Sequence, residues 1–91
     1  MSTIRIRRQH ALGRATARQR VEALAQTLHE KLDADYNWQG DRLLFKRSGA
    51  SGAIEVSDDS IDVQVDLKLL LRPMKGSIQQ TIEEYLDREL A

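Results

Sequence analysis

Residues 43–71 read LLFKRSGASGAIEVSDDSIDVQVDLKLLL, and the second half of this stretch decides the fold. Ile61, Val63, Val65, Leu67, Leu69 and Leu71 fall on one parity, and Asp62, Gln64, Asp66 and Lys68 on the other. Successive strand side chains point to opposite faces. The pattern therefore predicts a long strand, from Ser60 to about Leu70, with one buried face and one wet face. A helix would scatter those acids around its circumference.

Upstream, the same alternation recurs in shorter pieces. Ala53 to Val56 places Ile54 and Val56 inside, after a small-residue turn over Ser48–Gly52. Arg42 to Arg47 places Leu43 and Phe45 inside, and Asp35 to Gln39 carries Tyr36 and Trp38 on one face. Gly40-Asp41 between them fits a tight hairpin in which glycine takes a positive φ. The three aromatics are expected to be core. Thr3 to Arg8 is a further strand, with Ile4 and Ile6 on its inner side.

Two segments have helical periodicity. From Ala11 to Leu32, the residues Ala17, Val21, Leu24, Ala25, Leu28 and Leu32 form a single stripe, and Arg18, Gln19, Glu22, Gln26 and Glu30 lie opposite. Near the end, Met74, Ile78, Ile82 and Leu86 step by four. Pro73 suits the first position of that helix, since its missing N–H costs nothing there. A start at Ser77, with Gln80 completing a capping box, is the other reading. Met74 continues the stripe, which favours Pro73. The order β-α-β-β-β-β-α predicts an α+β, two-layer sandwich: an antiparallel sheet with two helices on one face. At 91 residues the chain is expected to be one domain.

Composition narrows the chemistry. There is no cysteine, hence no disulfide and no thiolate site. No apolar run approaches the roughly 20 residues of a membrane-spanning helix. MSTIRIRRQH is basic but lacks an apolar run behind it, so no secretory signal is expected and a soluble, cytoplasmic protein is. Basic and acidic residues both total 14, but the halves differ. Residues 1–48 hold ten basic and five acidic side chains, net +5; residues 49–91 hold four and nine, net −5. Such asymmetry fits an anionic partner, two halves of a fold that complement each other, or a homodimer paired head to tail.

No catalytic constellation is legible. His10 and His29 sit on different elements, and a metal site needs three or four converging ligands. Both read as surface or strand-end histidines. No GxSxG surrounds a serine. The turn at Ser48–Gly52 lacks the GK[ST] ending of a phosphate loop and joins two strands. No enzyme activity and no cofactor are expected. Two features remain. Arg5, Arg7, Arg8, Arg14 and Arg18 cluster in the first strand and helix and are candidate anion-binding residues. Leu70 breaks the alternation and would share the wet face with Leu44, beside Lys46 and Lys68; these four are candidate partner-binding residues.

The runs Arg7-Arg8-Gln9-His10-Ala11-Leu12-Gly13, Trp38-Gln39-Gly40-Asp41 and Phe45-Lys46-Arg47-Ser48-Gly49, with Gly52, Val56 and Lys75-Gly76, resemble the polyhydroxyalkanoic acid system proteins. The resemblance spans Ile4 to Leu90 and is most specific from Trp38 to Gly49. It implies a bacterial setting in storage of the polyester polyhydroxyalkanoate, and a setting only: it brings no activity, cofactor or catalytic residue to carry over. The leading expectation is a non-catalytic accessory protein that binds the polyester granule or a granule-associated protein. A small RNA- or ribosome-associated domain is a second reading, although neutral net charge counts against nucleic acid. A reduced helix-grip binder of a small apolar ligand is a third.

Overall fold

The computed structural model describes residues 2–90. The elements follow in the order β1 (Ser2–Gln9), α1 (Arg14–Leu32), β2 (Asp35–Gln39), β3 (Arg42–Arg47), β4 (Ala50–Val56), β5 (Ser60–Leu67), a 3-10 helix (Leu69–Met74) and α2 (Lys75–Leu90). Short turns join β2 to β5 as an antiparallel meander, and β1 lies antiparallel along β5. The sheet order β1-β5-β4-β3-β2 makes β1 and β2 the edges.

The core lies between the sheet and both helices. Ile4 and Ile6 of β1, Leu43 and Phe45 of β3, Ile54 and Val56 of β4, and Ile61, Val63, Val65 and Leu67 of β5 bury one sheet face. Ala17, Val21, Leu24 and Ala25 of α1 and Ile82 and Leu86 of α2 close over it. The opposite face follows the other parity. One row across it runs Arg5, Gln64, Ala53, Leu44 and Asn37, set by the pairing of each strand with the next.

Several boundaries differ from the sequence reading. The long strand stops at Leu67, not near Leu70, because on the β4 side its partner runs out: Ala50 pairs with Leu67, and Ser48–Gly49 before it is the turn. The Lys68 N–H then donates to the Gly49 carbonyl at 2.9 Å, and the chain coils into the 3-10 helix. Leu70 is thus off the sheet, not on its wet face. Pro73 lies inside that 3-10 helix, α2 begins at Lys75, and Met74 is exposed and not part of the apolar stripe.

The β3–β4 connection is also tighter than a five-residue turn. Only Ser48 and Gly49 separate the strands, with Gly49 at φ 87. Gly52 sits inside β4, paired with Phe45. An added Cβ there would lie 2.5 Å from Phe45 Cζ and would also strike the Gln64 carbonyl oxygen. This is a strand glycine demanded by close approach.

Helix α1 starts at Arg14, three residues later than its periodicity suggested. Gly13 precedes it at φ 78, outside helical geometry. His10 directs the entry. Leu12 N–H donates to His10 Nδ1 at 3.2 Å, which leaves Nε2 as the protonated nitrogen, 3.2 Å from the Ser57 carbonyl. His10 stands at the end of β1, one of its two expected places, but is buried there, and it pins the link after β1 to the β4–β5 turn. At the other end Asp33 takes a left-handed φ of 56, which aspartate tolerates, and α1 stops. Leu32 is left exposed instead of completing the stripe.

Candidate functional site

Arg7, Arg8, Arg14, Arg18 and Arg20 of the first strand and helix are held by acids, most of them from the second half of the chain. Arg7 faces Asp62 at 3.7 Å, Arg8 meets Asp87 of α2 at 3.0 Å, and Arg20 meets Glu89 at 3.2 Å. Arg14, the first residue of α1, bridges Asp41 in the β2–β3 turn at 2.9 Å and Asp58 in the β4–β5 turn at 3.2 Å. Charge asymmetry along the sequence thus becomes complementarity within the fold. Pairs this exposed contribute only about 0–1 kcal/mol each. Their effect is to orient the elements and to occupy the cations. The candidate anion-binding arginines fall in three places: Arg5 and Arg7 on the open sheet face, Arg8 toward α2, and Arg14 with Arg18 at the start of α1.

Arg18 belongs to a second cluster, where α1 crosses β2. Its guanidinium lies 4.5 Å from the Trp38 ring centroid, a cation–π distance, and 3.7 Å from Asp41. One turn along, Glu22 accepts from Tyr36 Oη–H at 2.6 Å and from Trp38 Nε1–H at 2.8 Å. Tyr36 and Trp38 are half-buried and packed on the edge of the core, whereas Phe45 is nearly enclosed. Sequence periodicity put Glu22 on the solvent side. The missed signal was that Arg18, Glu22 and Gln26 repeat every four residues beside the apolar stripe, while Tyr and Trp carry polar groups that seek partners when partly buried.

These bonds fix the ionisation. The Tyr36 hydroxyl first, then the Trp38 indole, hold the Glu22 carboxyl below its ordinary 4.5, against a smaller effect of burial. The same Tyr36–Glu22 bond raises Tyr36 above its ordinary 10.0. A carboxylate with a lowered folded value adds stability that is fully present above the unfolded value and lost as pH falls through the folded one. The melting temperature of the wild type should therefore exceed that of Glu22→Gln near pH 6, and the gap should close toward about pH 3. Melts across that range check this; a pH-independent gap would show that the two donors do not favour the charged form.

The open sheet face carries two broad concavities. One, about 320 Å3, is lined by Arg5, Arg7, Arg42, Glu55, Asp62 and Gln64. The other, about 570 Å3, includes Leu44, Lys46, Ser51, Ala53 and Asp66. Of the candidate partner-binding residues, Leu44 and Lys46 lie on this face. Lys68 follows β5 at the same end of the sheet, by the β3–β4 turn, and Leu70 stands beyond it in the 3-10 helix. Among the described residues no group of three or more His, Asp or Glu is placed to hold a metal ion. His29 Nδ1 is 3.0 Å from the Ala34 carbonyl, at the end of α1.

The geometry defines an α+β domain with one face sealed by helices, one face open, and an aromatic hairpin clamped by Arg18 and Glu22. The family described as "Putative polyhydroxyalkanoic acid system protein" matches residues 4–90, and the chain belongs to it. No curated protein and no solved structure matches the chain. No described helix is long and apolar enough to cross a membrane.

Proposed function

We propose that the protein is a non-catalytic accessory component of polyhydroxyalkanoate storage, acting in the cytoplasm by binding the polyester granule or a granule-associated protein. Family membership over residues 4–90 carries this reading. The commitments of the titratable groups support it. Glu22, Asp41, Asp58, Asp62, Asp87 and Glu89 each hold a partner that joins two elements, and both histidines face backbone carbonyls. Groups so engaged serve the fold. The arginine pairs likewise weigh against RNA, because phosphates would have to displace acids already in place. A helix-grip ligand would need the space between helices and sheet, which the core side chains fill.

The test is fractionation of cells grown with and without polymer accumulation, followed by capture of bound proteins. The protein should sediment with granules, or retain a granule protein, only when polymer is present. A protein that stays wholly soluble beside abundant granules and captures no granule protein overturns the reading.

A further inference from the structure

Among the described residues the exposed large apolar side chains are Leu32, Leu69, Leu70 and Met74. The last three lie in one 3-10 helix and are 76%, 78% and 51% exposed. A lone exposed leucine is ordinary. Leu69 and Leu70 are adjacent and both far out of the surface, whereas Met74 stacks one turn along from Leu71.

The segment is anchored from behind. Lys68 N–H bonds the Gly49 carbonyl and Leu71 N–H bonds the Lys68 carbonyl, both at 2.9 Å. Leu71 turns the other way, against Gly49, where an added Cβ would come within 3.1 Å of its side chain. Little ordering is then left to lose on docking. The rim is cationic. Lys68, Arg72 and Lys75 flank the apolar residues, none of them makes an ion pair among the described residues, and no acid occurs between Asp66 and Glu83. This differs from Arg7, Arg8, Arg14, Arg18 and Arg20, each of which meets an acid.

We infer that the Leu69–Met74 protrusion docks on an anionic lipid surface, with Leu69 and Leu70 entering the acyl boundary and Lys68, Arg72 and Lys75 meeting the headgroups. Apolar side chains ringed by cations match such an interface in both of its layers. Protein interfaces, by contrast, are depleted in lysine. A second copy of the chain would bring two identical sets of unpaired cations together, which like-charge repulsion opposes. The inference names a surface chemistry for the storage reading and rests on that reading only for its setting in the cell.

The experiment is co-sedimentation of the full chain with phosphatidylcholine vesicles, with and without an anionic phosphatidylglycerol fraction. Binding should require the anionic lipid. Leu69→Asp with Leu70→Asp should weaken it on the order of tenfold or more, since charges would enter the acyl region. Replacing Lys68, Arg72 and Lys75 by glutamine should cost about fivefold per cation. Leu32→Asp, exposed elsewhere, should bind like the wild type. Thermal melts should stay close throughout, because the altered side chains are exposed or, at Lys75, half-exposed. Absence of binding, equal binding to neutral vesicles, or full binding by the double aspartate variant overturns the inference, as does self-association that Leu70→Asp abolishes. If vesicles fail while granule fractionation succeeds, lipid docking alone is lost. If vesicles bind and granules do not, lipid docking stands and the storage reading falls.

Discussion

Gly52→Ala is expected to destabilise the protein by about 2–3 kcal/mol, within the usual range for overpacking a dense core. Gly52 lies in β4, between β3 and β5, opposite Phe45. The Phe45 ring occupies the space above it, and the Gln64 carbonyl of β5 closes the other side. A ring can tilt, but a carbonyl engaged in a central ladder cannot move without disturbing the pairing. Gly76→Ala provides the contrast. Nothing lies within 4 Å of a Cβ at that position in α2, and its substitution should raise stability by about 0.5 kcal/mol through reduced freedom of the unfolded chain. Urea melts of both variants check the pair. A loss below about 0.5 kcal/mol for Gly52→Ala would place it with ordinary surface changes and contradict the close approach.

Leu43→Ala should cost more, about 3–4 kcal/mol, in line with other buried leucines. Leu43 has no exposed surface and sits between Trp38 of β2 and Ile54 of β4. Ladder bonds hold its backbone on both sides, so the site cannot collapse to fill the void. Leu44→Ala, next along the strand but on the open face, should change stability by no more than about 0.5 kcal/mol. Equal losses at the two positions in denaturant melts would mean that the open face is covered or that the parity of β3 is reversed.

Much of the fold was legible because strand parity is a local property. The alternation from Ile61 to Leu67 assigns each side chain to a face without reference to any partner, and the hairpin at Gly40 announces itself by residue type. The runs that carried the family resemblance have plain physical roles in the structure. His10 and Gly13 bend the chain into α1, Gly40 and Gly49 take positive φ in turns, and Gly52 makes room for Phe45.

The candidate site was less legible, because it depends on which elements meet. Opposite charge along the chain was visible in the sequence, but three arrangements explained it equally. Only the packing of α1 and β1 against α2 and the turns brings the two halves together, setting Arg8 on Asp87, Arg14 on Asp58 and Arg20 on Glu89. Glu22 looked like a solvent residue until β2 ran beneath α1 and supplied two donors.

By itself the sequence determined the element order, the faces of the strands, and the absence of thiol chemistry, since these follow from residue type and short-range periodicity. Tertiary structure alone decided where β5 ends. Alternation continued through Leu69 and Leu71, but a strand persists only as far as a neighbour offers hydrogen bonds, and β4 gives out where Ala50 pairs with Leu67. What remained of the apolar run was then free to coil into a protrusion, with Leu71 turned inward and Leu69 and Leu70 turned out.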